Sequence, residues 1–488
     1  MADDRRLTDP RLAGWWPAPA ALLAGALAGL ALPPLGVPLL LWPALAVLWA
    51  LSRQRSLLPL LWGSAAVLVS HRWLLWLHPL DWVGVPAPLS LPLCGLLWLL
   101  VGLAGGLLVA AWARLVRRLD GARLGTALLA AALWGLAEVA LAHGPLFWIG
   151  LGASALPADP ALAGLARLGG AGLVAAVQLL IGWSLWRRAL PLALALLLAS
   201  HLLGLQQLRL AAAPTGGAIQ PLLVLQPAIP TRQKFSAQQQ ELLRQRLASA
   251  QHQAASTAVP LLLLPEGALA LGQPLPRQEP VEVLAGGFRL EGTSLRSSLL
   301  RHGPGERRPS SWIDKHRLVP LGEWVPFSGL LRWSGLSAVG GVEPGLAPRL
   351  LPRPGGAIAV AICYEIADGL ALAEAARAGA GWLLASANLD PYPLALQDQF
   401  LALARLRALE TGRWLVSAAN TGPSLAVDPA AGLQPGPPPQ VAGTALLLPQ
   451  ASHRPTGYLH WREGPLLLLV LAGLVLRRRG GVTHGDVR

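Results

Sequence analysis

The sequence predicts a chain in two parts, a bundle of membrane-spanning α-helices followed by an α/β layered domain. Three observations predict this. The 488 residues are 53% hydrophobic and only 13% charged, about half the charged share of an ordinary soluble domain. Leu and Ala dominate the first 210 residues or so, and Gln, Arg, Glu and Ser return after about Pro214. The apolar runs of the first half are long, whereas those of the second half are short and alternate with amphipathic stretches, the signature of strands and helices in layers.

A helix crosses a bilayer with about 20 apolar residues. Spans are expected near Trp15–Leu32, Val37–Leu51, Leu57–Leu77, Leu89–Trp112, Thr126–Ala142, Gly170–Trp186 and Leu190–Leu205. A last apolar run, Pro465–Leu476, precedes Arg477, Arg478 and Arg479. It rises only about 18 Å, so it is expected to recruit Tyr458–Trp461 or to thin the bilayer. With the amino terminus inside, the inward loops hold Arg53, Arg55, Arg114, Arg117, Arg118, Arg123, Arg187 and Arg188, and the outward loops hold Arg167. This asymmetry follows the positive-inside rule. It explains the net charge of +14 without a nucleic-acid partner. Ala26-Leu27-Ala28 resembles a leader cleavage site, but the charge alternation requires the first span to stay. The expected divisions are a bundle of about seven helices over residues 1–213, an extracytoplasmic domain over 214–457, and a final span with a basic cytoplasmic tail over 458–488.

Within the bundle, His71 and Arg72 interrupt an apolar segment near its outer end. Snorkelling to the interface is the plain reading, headgroup binding the sharper one. Gly25-x-x-x-Gly29 and Gly102-x-x-x-Gly106 permit close helix contact, expected inside the bundle. In the second half, strands are expected at Leu222–Gln226, Leu261–Leu264, Ala357–Ile362, Trp382–Ser386, Trp414–Ser417 and Thr444–Leu448. Helices are expected at Ala237–Ala250, Leu370–Ala378 and Asp398–Thr411, and a loop at Gln434–Gln440.

Functional residues gather where strands run out into loops. LLLLPEGAL puts Glu266 just after one strand, and AIAVAICYE puts Cys363 at the end of another, followed by Tyr364 and Glu365. SSWIDKHRLVPLGEWVPF between them offers Lys315 and Glu323. Of the two cysteines, Cys94 lies in an apolar run and Cys363 is the single thiol of its domain, so a disulfide framework or thiolate zinc site is not expected. An acid, an ammonium and a thiol suit acyl transfer. The carboxylate takes the thiol proton, the sulfur attacks a carbonyl, and the ammonium stabilises thiolate and oxyanion. Such a neighbourhood is expected to lower a cysteine pKa from about 8.5 to roughly 3.5–7.5. Singly, each residue has an ordinary reading: a helix-start acid, a surface ion pair, a core cysteine.

Their shared context resembles the nitrilase superfamily, whose members carry a Glu–Lys–Cys triad on an α-β-β-α sandwich. With the membrane half, it resembles the apolipoprotein N-acyltransferase family over nearly the whole chain. The segments that carry this are LLVLQPAIP with Lys234-Phe235, LLLLPEGAL, DKHRLVPLGEWVPF, ICYE, ARLRALETGR and AANTG, plus Trp134, Glu138, Pro145 and Trp148. The resemblance implies Glu266 as general base, Lys315 as oxyanion cation and Cys363 as nucleophile, supported by Glu323, Tyr364 and Glu365. Phe235, Asn388 and Tyr392 fall on possible substrate loops. It implies a ping-pong reaction in a bacterial cytoplasmic (inner) membrane, with the catalytic domain on the periplasmic side. Cys363 takes an acyl chain from a phospholipid donor and passes it to the α-amino group of a diacylated apolipoprotein acceptor. No cofactor and no metal are implied. Three positions depart from the family pattern: Asn388-Leu389-Asp390-Pro391-Tyr392, Ser417 where an arginine is common, and Phe235 where a tryptophan is. Two rival readings are a membrane-anchored amidase with water as acceptor, and a transporter or scaffold with an inactive domain. Many spans beside the domain favour lipid substrates over the first, and an unbroken triad disfavours the second.

Overall fold

The computed structural model describes residues 17–54, 57–80, 85–213, 216–233, 236–320, 323 and 341–482. The amino-terminal half is helical: α1 (Pro17–Leu30), α2 (Pro38–Leu51), α3 (Leu58–Ser70), α4 (Ala87–Arg118), α5 (Leu124–His143), the short α6 (Pro160–Ala163), α7 (Ala166–Trp186) and α8 (Leu190–Ala212). Helices α4, α5, α7 and α8 are long and apolar enough to cross a membrane, and α1, α2 and α3 are shorter apolar helices.

Each expected span contains a helix, with three differences. The Leu57–Leu77 segment breaks at His71: α3 ends there and Arg72–Leu77 winds as a 3-10 helix. His71 does not snorkel but is buried, with Nδ1 2.9 Å from Ser70 Oγ. Arg114, Arg117 and Arg118 continue α4 rather than forming a loop. At the carboxyl end, Tyr458–Trp461 are not recruited into the last helix. They form a separate turn of helix, α12 (Gly457–Trp461), and Arg462 at φ 48° redirects the chain into α13 (Gly464–Val482).

Small residues set the closest approaches in the bundle. A Cβ on Gly25 would lie 2.1 Å from the Trp62 carbonyl oxygen, and one on Gly102 would lie 2.5 Å from Leu68. Both GxxxG pairs therefore pack internally, against α3. Glu138 of α5 is buried and its Oε1 accepts from Trp134 Nε1 (2.8 Å) and the Leu151 N–H (2.8 Å). It pins the Gly144–Leu156 connection to α5, because a buried carboxylate is tolerated only where donors surround it.

The carboxyl-terminal half is two facing six-stranded sheets. One runs β12 (Gly443–Leu447), β1 (Leu222–Gln226), β2 (Leu261–Leu264), β3 (Glu282–Glu291), β4 (Ser294–His302), β5 (Ser311–Asp314). The other runs β11 (Leu433–Pro435), β10 (Leu425–Val427), β9 (Leu415–Ala419), β8 (Trp382–Ala387), β7 (Ile358–Ile362), β6 (Leu350–Leu351). The centre of each sheet is parallel, β1-β2-β3 and β7-β8-β9, and the flanking pairs are antiparallel.

Alternation along the strands divides the core. Leu222, Val224, Leu261, Leu263 and Leu284 face the second sheet, while Leu223, Leu225, Leu262 and Leu264 face Leu247, Ala250 and Ala254 of α9 (Ala237–Ser256). Helices α10 (Gly369–Arg377) and α11 (Leu394–Thr411) cover the other sheet. The layers are thus α-β-β-α, the sandwich expected. The hairpin β3–β4 lies outside the expected strands because arginines and the Gly286-Gly287 pair break its apolar period, and β5, β6, β10 and β11, of two to four residues, are too short to show one. The expected loop at Gln434–Gln440 is shortened, because Gln434 and Pro435 belong to β11, an edge strand where proline is tolerated.

The domain is bonded onto the bundle. Glu410 Oε1 of α11 accepts from the Ala171 N–H at the point where Gly169 and Gly170 break α7 (2.9 Å). Arg317 donates to the carbonyls of Ala142 (2.8 Å) and Gly144 beyond α5.

Candidate active site

Glu266, Lys315 and Cys363 come together where three strands end, two of them in the parallel centres of the sheets and the third, β5, at an antiparallel edge. Glu266 follows β2 by two residues, Lys315 follows β5 directly and Cys363 follows β7 directly. Loops at the carboxyl ends of parallel strands are held rigidly by the sheet, which is why sites collect there.

Lys315 is the centre of the cluster. Only 1% of it is exposed, and its Nζ lies 2.7 Å from Glu266 Oε1 and 2.8 Å from Glu323 Oε1. A buried ammonium survives only if paired. Burial alone would push its pKa down, but the charges of Glu266 and then Glu323 outweigh burial, and the pKa lies well above the usual lysine value. Lys315 is therefore a fixed cation. The second Glu323 oxygen accepts from the Val319 N–H (2.9 Å). Burial, reinforced by the neighbouring Glu266 charge, raises the Glu323 pKa despite Lys315.

Glu266 has its other oxygen on the Asn388 N–H (3.1 Å). Both carboxylate oxygens are thus committed, so the group has a fixed orientation. Gly286 of β3 makes this possible: a Cβ there would stand 2.3 Å from the Glu266 Cα.

Cys363 sits at φ 55°, a left-handed conformation unusual for a residue with a side chain. This sharp turn from β7 into the 3-10 segment Cys363–Ala367 is fixed by Glu365. One Glu365 oxygen accepts from the Ile362 N–H (2.8 Å), and the other from the N–H groups of His316 (2.7 Å) and Arg317 (3.0 Å). Arg349 Nη2 lies 3.3 Å from the same buried carboxylate. Glu365 thereby ties the chain before the nucleophile to the chain after Lys315.

The thiol differs from the expected low pKa. Burial first, then the charge of Glu266, push the Cys363 pKa well above the usual thiol range, and Lys315 and the Tyr364 N–H only partly offset them, with Glu323 adding to the rise. Two carboxylates against one ammonium leave a net negative neighbourhood, so the sulfur rests as a neutral thiol. A neutral thiol attacks a carbonyl only if a base takes its proton as the bond forms.

The supporting residues are also placed. The Tyr364 hydroxyl donates to the carbonyls of Leu318 and Pro145 (3.2 Å), and the Arg317 guanidinium lies 5.1 Å from its ring centroid. Asn388 exchanges hydrogen bonds with Thr231 and accepts from Asn420 Nδ2 (3.1 Å). Asp390 caps the Thr231 N–H (2.6 Å), and Ser417 Oγ donates to the Pro423 carbonyl (2.7 Å). The altered loop thus keeps its acid in a structural role. Tyr392 stands edge-on to Trp73 (5.8 Å), which stands edge-on to Phe147 (5.8 Å), which stacks on Phe400 (5.5 Å). This aromatic wall joins the bundle to the domain, and its Tyr392 end lies within electrostatic range of the Cys363 side chain. Phe235 lies outside the described residues.

Four contributors were given no role from sequence: Gly286, Arg317, Arg349 and Asn420. Arg317 stands two residues beyond Lys315 and Asn420 lies in AANTG, so their motifs were visible. Gly286 and Arg349 have no local signal, because each acts on a residue distant in the chain.

Fold and site together define a membrane-associated enzyme of thiol acyl chemistry. A family model described as apolipoprotein N-acyltransferase N-terminal domain matches residues 24–184. The chain is 50% identical over 480 residues to the apolipoprotein N-acyltransferase of Prochlorococcus marinus (strain MIT 9313), covering 93% of this chain and 94% of the relative. It is 49% identical over 460 residues to that of Parasynechococcus marenigrum (strain WH8102), covering 90% and 96%. Among solved structures it is similar to Saccharomyces cerevisiae Nit3, of the nitrilase superfamily, at 14% identity and a TM-score of 0.37, over 48% of this chain and 90% of that one. The chain belongs to the apolipoprotein N-acyltransferase family.

Proposed function

We propose that Cys363 carries the acyl group in lipoprotein N-acylation, with Glu266 as general base and Lys315 as the cation at the oxyanion. The reading rests above all on Lys315 Nζ bridging Glu266 and Glu323 in a buried site that includes Cys363. In the first half-reaction the Cys363 thiol attacks the ester carbonyl of a phospholipid while its proton passes to Glu266. Lys315 and the Tyr364 N–H stabilise the tetrahedral oxyanion, Glu266 returns the proton to the leaving alkoxide, and a lysophospholipid departs from the thioester. In the second, the α-amino group of an apolipoprotein's diacylglyceryl-cysteine attacks the thioester. Glu266 takes the ammonium proton and returns it to the departing sulfur. Because the resting thiol is neutral, Glu266 is needed in both directions.

Two features suit lipid substrates. The aromatic wall of Tyr392, Trp73, Phe147 and Phe400 gives the thioester an apolar flank. Beyond His71 and Trp148 a cavity of about 330 Å³ opens among α1, α3, α4 and α5, lined chiefly by apolar side chains. That is within the range of small-molecule sites. In this reading the chain is a multi-pass protein of the bacterial inner membrane, divided at residues 1–213, 214–457 and 458–488. The arginine asymmetry of its sequence supports a catalytic domain on the periplasmic side.

Mass spectrometry of the purified protein incubated with phospholipid tests the proposal. The expected result is a fatty acyl adduct on Cys363, absent from Cys363→Ala and transferable to a diacylated lipopeptide. An adduct discharged only by water would replace the transferase reading by a hydrolytic one.

A further inference from the structure

A second pocket lies away from the thiol, at the foot of the catalytic domain where it meets the helices. It measures about 290 Å³ and is bounded by the end of α10, the start of β9's lead-in, and the segment that enters α12. Its polar lining is two arginines and two histidines, Arg377, Arg413, His453 and His460. Arg377, His453 and His460 are exposed at the rim, and Arg413 is 3% exposed at the floor.

The charge here is uncompensated. Arg413 Nε donates to the Ala380 carbonyl (3.0 Å), and its Nη1 to the carbonyls of Arg454 (2.7 Å) and Thr411 (3.4 Å). These are neutral acceptors, and Nη2 makes no hydrogen bond among the described residues. Near it stand the exposed Arg454 and the buried Arg167, whose Nη1 donates to the Pro429 carbonyl (3.1 Å) and whose Nε has no partner among the described residues. Among the described residues, no carboxylate pairs with Arg377, Arg413, Arg454 or Arg167. The acids nearest in the fold are engaged elsewhere, Glu374 with Arg462 (3.1 Å), Glu410 with Arg407 (3.1 Å) and Glu463 with the Tyr458 hydroxyl (3.1 Å). Burial, and then the Arg167 charge, push the Arg413 pKa down to about 10, the response of a guanidinium held without a counter-ion. Natural folds avoid leaving a buried charge unpaired, so the pocket is built for an anion from outside.

Its position narrows the chemistry. The pocket borders α12, from which the chain turns into α13, and Arg167 stands just before the break that begins the membrane-crossing part of α7. Trp461, 71% exposed, lies beside it as an interfacial residue would. With α7 and α13 read as spans, the pocket is at headgroup level.

We propose that this pocket binds a phosphate-bearing anion, for which an anionic lipid headgroup and free phosphate are the two sources. Guanidinium forks and imidazoles match phosphate oxygens. The site rests on the membrane reading for its lipid source but not on the thiol chemistry.

The test uses the full-length protein in nanodiscs of defined composition, read by native mass spectrometry. Wild type is expected to retain phosphatidylglycerol about tenfold over phosphatidylethanolamine, and Arg377→Glu with His460→Ser to retain the two equally. Arg377→Lys, which keeps the charge, is expected to behave as wild type, which separates lost charge from lost fold. In a second arm, inorganic phosphate is titrated against chloride at matched ionic strength in detergent, with the thermal midpoint as readout. A rise in wild type absent from the double variant, without headgroup preference, identifies the soluble source. No headgroup preference and no phosphate-dependent rise in wild type would overturn the site, as would either effect persisting undiminished in the double variant. Acyl transfer by the double variant in phosphatidylethanolamine is expected to be unchanged, so failure here is distinct from failure of the Cys363 reading.

Discussion

Gly286 leaves room for Glu266: a Cβ on the glycine would fall 2.3 Å from the Glu266 Cα and 2.5 Å from the Pro265 carbonyl oxygen. Backbone, not a flexible side-chain end, would have to move. Gly286→Ala is therefore expected to displace Glu266, the proposed general base, and cut acyl transfer by about 100-fold, the usual cost of misplacing a reacting group by an ångström. A control is Gly95→Ala in α4, where an added Cβ meets nothing within 4 Å. It is expected to leave activity unchanged. Steady-state kinetics on the two variants checks the pair.

Glu323 holds the thiol neutral together with burial and Glu266. Removing its charge by Glu323→Gln is expected to lower the Cys363 pKa. At an effective dielectric near 20, one nearby charge is worth on the order of 1–2 kcal/mol, hence roughly tenfold in thiolate at a pH below the pKa. Iodoacetamide alkylation of Cys363 followed against pH should shift toward lower pH in the variant. In wild type, alkylation should still be rising above the ordinary thiol range, because the thiol pKa is raised. An acid-shifted wild-type profile would contradict the neutral resting thiol.

Glu365 accepts three backbone N–H groups and faces Arg349. Glu365→Gln keeps the shape but removes the charge opposite a buried guanidinium and turns one acceptor into a donor. A loss of about 3–5 kcal/mol is expected, as for other broken buried pairs. Thermal and denaturant unfolding reads it. Activity should fall even below the melting range, since the Cys363 turn is released.

Trp73 links Tyr392 to Phe147 across the junction of bundle and domain. If that wall flanks the acyl chain, Trp73→Ala should raise KM for long-chain phospholipid donors more than for short-chain ones. Equal effects on both would assign the ring to packing alone. Donor-length series in mixed micelles distinguish the outcomes.

Much of the site was legible in the sequence because its chemistry rides on short apolar runs. LLLLPEG and AVAICYE announce a buried strand ending in a functional group, and those strands fall where expected, at Leu261–Leu264 and Ile358–Ile362. The hairpin from Glu282 to His302 was not legible, because its glycines and arginines are chosen for what they meet across the fold. Gly286 yields to Glu266, and Arg289 pairs with Asp314 at 2.5 Å. Which of the two expectations for the last helix fails was decided in the same way. Tyr458 is held by packing against Gly170 and so forms its own turn instead of lengthening α13.

The sequence alone determined the two-part architecture, the layered domain and the identity of an acid, an ammonium and a thiol, since hydrophobic period and residue type are local properties. Only the tertiary structure decided the balance of charge among them. Glu323 joins Glu266 around one buried lysine, so the thiol pKa rises where spacing alone suggested it would fall. The pocket around Arg413 is of the same kind. Its excess charge follows from which acids the fold has already engaged, and a linear sequence does not display that.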